Sequence, residues 1–180
     1  MRQSAKPDWS AGLPGALADD LDDLDDLEES PRDSGPSPRN QAMNWLARRE
    51  YSLAELSARL AERDYPSDVV EATVAELAAD GLVSDERFAE ALVGVRVRKG
   101  QGPVRIRAEL KQRGVSSDLI RLHVNDAGLE WHDLACEVRR KKFGAMMPVD
   151  FKEKARQMRF LEYRGFTGEH IRSALGDDFE

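Results

Sequence analysis

From residue 41 onward apolar side chains return every three or four positions, the spacing of a buried stripe along an α-helix. Residues 43–49, with Met43, Trp45 and Leu46, predict a short first helix. Ser52-Leu53-Ala54-Glu55 reads as a capping box, and the helix it opens carries Leu53, Leu56 and Leu60 on its apolar face. Pro66-Ser67 starts a third helix with Val70, Val74 and Leu77 inward and Gly81 as its stop. Ser84 caps a fourth, with acids at 85 and 86 suited to the positive end of the helix dipole, and Phe88, Leu92 and Val95 form its stripe. It stops at Gly100, and Gly102-Pro103 opens a fifth, marked by Ile106 and Leu110. Ser116 or Ser117 caps a sixth with Ile120, Val124 and Ala127 inward. Trp131, Leu134 and Val138 mark a seventh, and residues 144–148 form a loop. Asp150 caps an eighth with Phe151, Ala155, Met158 and Leu161 inward, and Thr167 caps a ninth with Ile171 and Leu175 inward. No segment shows the period-two alternation of a strand.

One frame recurs three times. Leu60, Arg63, Asp64, Tyr65 and Val70 stand at the same offsets as Leu110, Arg113, Gly114, Val115 and Ile120, and again as Leu161, Arg164, Gly165, Phe166 and Ile171. In each copy a helix ends, a cap turns the chain, an apolar residue staples the turn and the next helix presents its first buried residue. Three copies at one period indicate an internal repeat. Gly81, Gly114 and Gly165 are expected as left-handed caps, where a Cβ is penalised. Asp64 replaces glycine in the first copy, and Asp visits that region more easily than most residues. The expected fold is all-α. Three tandem three-helix repeats form an elongated, curved helical-repeat protein behind a disordered acidic N-terminal tail. The divisions are a tail over 1–39 and repeats over 40–82, 83–128 and 129–180, with each repeat needing its neighbours to cover its apolar side.

Composition sharpens this picture. With 34% charged and 7% aromatic residues the chain suits a solvated helical protein. The net charge of −7 is unevenly placed, because residues 1–40 hold ten acids against four bases. Residues 19–29 alone carry eight acids, interleaved with leucines that continue from Leu17. This segment reads as a solvated acidic tail; the alternatives are a leucine stripe on an acidic helix that docks elsewhere and a tail held near its own domain that lies transiently over a basic face. Cys136 stands alone, so there is no disulfide framework, and no apolar run has the length of a signal peptide or a membrane span. A cytoplasmic protein is expected.

Catalytic chemistry is not legible. His123, His132 and His170 are scattered without metal-ligand spacing, Cys136 has no histidine partner in sight, and Gly100-Gln101-Gly102 follows no strand and makes no phosphate loop. The expectation is no catalytic residue, no metal and no cofactor. The positive signal is basic. Residues 96–113 carry Arg96, Arg98, Lys99, Arg105, Arg107, Lys111 and Arg113 against the single acid Glu109. Arg139, Arg140, Lys141, Lys142, Lys152, Lys154, Arg156 and Arg159 form a second cluster. Either cluster alone is an ordinary solvated face; two in adjacent repeats suit nucleic acid or an acidic protein assembly.

The segment Asp85-Glu86-Arg87-Phe88-Ala89-Glu90, the run from Gly102 through Leu110 to Arg113-Gly114-Val115, and Arg159-Phe160-Leu161-Glu162-Tyr163-Arg164-Gly165-Phe166 leading to Ile171 resemble, in this order, the bacterial RecX family. The resemblance covers about residues 41–175 and leaves the acidic extension outside. It implies three three-helix repeats and a regulator of the RecA recombinase that binds the RecA filament on single-stranded DNA in its helical groove. Restraint of filament growth, ATP hydrolysis, strand exchange and the SOS response would follow, with no enzymatic residue inherited and a monomer expected. A repeat protein that binds DNA directly stands as the alternative, and a purely structural helical scaffold as a third reading.

Overall fold

The computed structural model describes residues 37–176. The acidic, leucine-bearing segment lies outside the described residues. Within them the chain forms nine α-helices and no strand: α1 (Pro38–Leu46), α2 (Leu53–Ala61), α3 (Ser67–Ala79), α4 (Asp85–Arg98), α5 (Pro103–Gln112), α6 (Ser117–Ile120), α7 (Trp131–Phe143), α8 (Phe151–Tyr163) and α9 (Gly168–Ala174).

The helix starts follow local capping chemistry. Ser52 and Glu55 form a reciprocal capping box, Ser84 accepts from the Arg87 N–H, and Asp150 accepts from the Glu153 N–H at 2.7 Å. The first helix begins at Pro38, earlier than the apolar pattern indicated, because Ser37 caps it and proline occupies its first position. α6 widens after one turn into a π-helical segment, Arg121–Asn125, which turns Ala127 out to solvent instead of inward.

Each repeat closes its own core. Trp45, Leu56, Leu60, Val74 and Leu77 lead the first, Phe88, Ile106, Leu110 and Val124 the second, and Ala135, Leu161, Phe166 and Ile171 the third. Shared apolar faces between repeats were expected; the buried residues form three clusters, and Leu129 and Trp131 at the start of the third repeat pack against the second. Two stripes differ from the pattern in the sequence. In α4 the buried positions are Phe88, Ala89 and Val93, while Leu92 and Val95 are half-buried. In α8 Phe151 and Met158 are exposed, and Gln157 and Leu161 face inward. Gln157 donates its amide N–H to Glu153 at 3.1 Å while its buried amide oxygen has no partner, and Phe160 stacks edge-on against Phe143 with centroids 5.2 Å apart. Trp131 leaves the third repeat for the second: it packs on that core and donates its indole N–H to the Val124 carbonyl at 3.1 Å.

Candidate partner-binding surface

The repeats are joined by one geometry used twice. The carboxyl end of α5, the middle helix of the second repeat, meets the amino end of α2, the middle helix of the first. The carboxyl end of α8 meets the amino end of α5 in the same way. Helix ends leave backbone groups without intrahelical partners, and these junctions supply partners. Gly102 N–H donates to the Arg164 carbonyl at 2.8 Å and Val104 N–H to the Gly165 carbonyl at 3.0 Å. At the earlier junction the Ser52 hydroxyl donates to the Arg113 carbonyl at 2.6 Å, and the Leu53 N–H finds the Asp85 carboxylate at 2.8 Å. The head-to-tail order also aligns the helix dipoles favourably.

Glycine at each corner is dictated twice over. Gly114 and Gly165 have φ of 81° and 88°, and a Cβ on either would overlap the preceding repeat. On Gly114 it would lie 2.4 Å from the Ala54 Cβ, and on Gly165 2.7 Å from the Arg105 backbone nitrogen. At the first corner, where no earlier helix is among the described residues, exposed Asp64 sits at φ 60°. Gly81, at φ 69°, ends α3 with nothing near its missing Cβ.

The junctions divide the basic residues into two groups. Arg96 holds Glu109 through two nitrogens at 2.8 and 2.6 Å. Arg113 reaches Glu109 at 3.3 Å and bonds Glu55 of the first repeat, which also faces Arg49 at 3.7 Å. This network is half-buried and belongs to the junction. Arg107 donates to Asn125 at 3.0 Å. The Lys99 carbonyl accepts from Arg164 at 2.9 Å, so Arg164, absent from the basic clusters read in the sequence, ties the second junction. Arg139 departs furthest from a surface role: it is 3% exposed, with its guanidinium donating to the Met146 and Ala145 carbonyls.

Open to solvent are Arg98, Arg105, Lys111, Arg140, Lys141, Lys142, Lys152, Arg156 and Arg159, while Lys154 is half-buried. Lys152, Arg156 and Arg159 share one side of α8 with Tyr163, at i, i+4, i+7 and i+11. Tyr163 is 75% exposed, and the Arg105 guanidinium reaches over its ring from the second repeat at 5.6 Å. The stripe thus crosses the second junction. Tyr163 was missed in the sequence because it sits inside the repeat frame; its helical register with three cations was the available signal.

His170 caps α9 together with Thr167, whose backbone N–H donates to its Nδ1 at 3.3 Å, and its ring meets His132 edge-on at 4.7 Å. Burial, then His132, and more weakly Arg107, hold its pKa below the ordinary histidine value against the opposing pull of Glu169. Among the described residues no three His, Cys, Asp or Glu side chains gather as a metal site, and no helix is long and apolar enough to cross a membrane.

Family models describing the first, second and third three-helix domains of RecX match residues 39–77, 84–122 and 130–175. A regulatory protein RecX of Pseudomonas savastanoi pv. phaseolicola is 40% identical over 150 residues, covering 81% of this chain and 97% of that protein. The regulatory protein RecX of Halorhodospira halophila is 44% identical over 136 residues, 76% of this chain and 84% of that one. The crystal structure of RecX from Lactobacillus salivarius superposes with a TM-score of 0.62 at 18% identity, over 78% of this chain and 93% of that one, a likeness of fold.

Proposed function

Because the chain belongs to the RecX family of regulatory proteins, we propose that it regulates the RecA recombinase by binding the RecA filament on single-stranded DNA. In this reading it restrains filament growth, ATP hydrolysis and strand exchange, and so tempers recombination and the SOS response. It acts in the cytoplasm, by binding and without catalysis. The observation that carries the reading is the match of all three domains in order over residues 39–175. The open cations of α8 with Arg105 offer a surface on which an acidic filament or a phosphate backbone is held. A monomer is part of the proposal.

RecA ATPase on single-stranded DNA, titrated with the protein, tests it. Inhibition is expected, and Arg105→Glu with Lys152→Glu, Arg156→Glu and Arg159→Glu should weaken it while helical content is kept. Unchanged ATPase at every concentration would sink the reading.

One observation favours a second reading, direct contact with DNA. Tyr163 beside Arg105, in register with three cations, is an arrangement on which a base stacks while its phosphates are neutralised. Gel shifts without RecA separate the two. If phosphates are bound, each cation removed lowers the log–log salt slope by about 0.7 on single strands.

A further inference from the structure

The loop between α7 and α8, with the first residue of α8, gathers the three most exposed large apolar side chains among the described residues. Val149 is 97% exposed, Phe151 87% and Met146 82%. Apolar side chains scattered singly on a surface need no explanation, but three within six residues do. The main chain that carries them is held. Buried Arg139 binds two of its carbonyls, at Met146 (3.0 Å) and Ala145 (3.4 Å), and Asp150 fixes the start of α8 through the Glu153 N–H. A buried guanidinium is costly to leave unpaired; both terminal nitrogens of Arg139 are used on the loop while its Nε has no partner, and these two bonds tie the loop to α7.

Its surroundings give the chemistry of the ligand. Lys142 in the last turn of α7 and Lys152 in the first turn of α8 flank the loop, both exposed. Arg156 lies 5.1 Å over the Phe143 ring at its base. The nearby acids are engaged: Asp150 as a cap, Glu153 with Arg156 at 3.3 Å and Gln157 at 3.1 Å. The result is an apolar tip in a basic rim.

We propose that this loop is a docking site for an acidic peptide segment that carries apolar side chains. Apolar anchors would cover Met146, Val149 and Phe151 while carboxylates meet Lys142 and Lys152. An anionic bilayer shares this chemistry, but the chain's net charge of −7 opposes approach to an extended anionic surface, whereas a peptide meets only the local field. The inference goes beyond the RecA reading and does not depend on it.

The test uses the full chain with Leu17→Ser, Leu21→Ser, Leu24→Ser and Leu27→Ser, so that its own segment does not compete, and a labelled synthetic peptide with the parent sequence of residues 17–29, which holds four leucines and eight acids. Fluorescence anisotropy should show saturable binding. Replacing Val149→Ser and Phe151→Ser together should weaken it by about tenfold or more, as should replacing the peptide's leucines by serine. Met146→Ser gives an independent second variant. All three positions are solvent-exposed, so circular dichroism and melting should stay at the parent values. Absence of binding, or equal binding by parent and variants, overturns the proposal. So does sedimentation with phosphatidylglycerol vesicles that the double serine variant abolishes while the peptide fails to bind, which would assign the loop to a bilayer.

Discussion

At both junctions the carboxyl end of one middle helix meets the amino end of another, but different atoms make the contact. Between the second and third repeats backbone meets backbone: two N–H groups at the start of α5 pair with two carbonyls at the end of α8, Gly102 lies against Gly165, and the one guanidinium added, Arg164, donates to the Lys99 carbonyl. Between the first and second repeats side chains do it: the Ser52 hydroxyl, the Asp85 carboxylate, and the arginine–glutamate network of Arg49, Glu55, Arg113, Glu109 and Arg96. A backbone contact tolerates no added atom and is indifferent to salt. A contact made by charged side chains can yield and is weakened by ionic screening. The same topology therefore gives a stiff joint and a compliant one.

The largest effect expected from breaking this contrast lies at the stiff joint. Gly165→Val places a β-branched residue at positive φ and drives its Cβ into both the Cβ and the backbone nitrogen of Arg105, with an expected loss of about 3 kcal/mol or more in urea unfolding. Gly102→Ala, whose Cβ would fall 2.4 Å from the Gly165 carbonyl oxygen, should behave alike, and because backbone atoms lie within 2.7 Å of the added Cβ at both positions, trimming a side chain should not restore either to parent stability. A loss within a few tenths of a kcal/mol of zero would mean that the backbones do not meet there.

Gly114→Ala at the compliant joint should cost about 2 kcal/mol, part from φ and part from overlap with the Ala54 methyl. Here the obstacle is a side chain. Ala54→Gly in the same molecule should recover about 1 kcal/mol, read as the coupling energy of a double-mutant cycle. Additive losses would contradict the contact.

Glu109→Gln removes the carboxylate shared by Arg96 and Arg113, both less than a quarter exposed, and should cost about 1–2 kcal/mol. The loss should shrink as salt is raised, which the Gly165 variants should not show. A salt-independent loss would place the network outside the joint's energetics.

The smallest effect concerns pH. His170 caps α9 through an unprotonated Nδ1, and its folded pKa lies below the ordinary value of 6.5. The unfolded chain therefore binds the proton more readily. Its contribution to stability is complete above the unfolded pKa and is lost as pH falls through the folded one. Melting temperature should decline from pH 7.5 towards pH 5, and His170→Gln should flatten that slope. An unaltered slope in the variant would assign the decline to other groups.

Helix starts and corners were readable in the chain because the interactions that set them are local. Ser52 with Glu55, Asp150 with the Glu153 N–H and Thr167 with His170 each act over three residues, so the pattern and the structure coincide there. The sequence missed the inward side of α8. Phe151 and Met158 fit an apolar spacing, yet the helix buries Gln157, held by Glu153 one turn back on α8, and turns Phe160 onto Phe143 of α7, a partner that only the folded repeat brings near.

By itself, then, the sequence determined an all-helical chain, its three-fold frame, and the family to which its motifs belong. Spacing, capping and glycine placement are properties of neighbouring residues. Only the tertiary structure decided why the third-repeat corner must be glycine while the first can be aspartate, since the atoms that exclude a Cβ come from a different repeat. It also decided which cations face outward. Arg113 meets Glu55, 58 positions away, and Arg164 meets the Lys99 carbonyl, 65 away, while Arg139 turns inward onto its own loop. A run of basic letters fixes how much charge is present. The partners that claim each guanidinium lie far along the chain, and only folding brings them within reach.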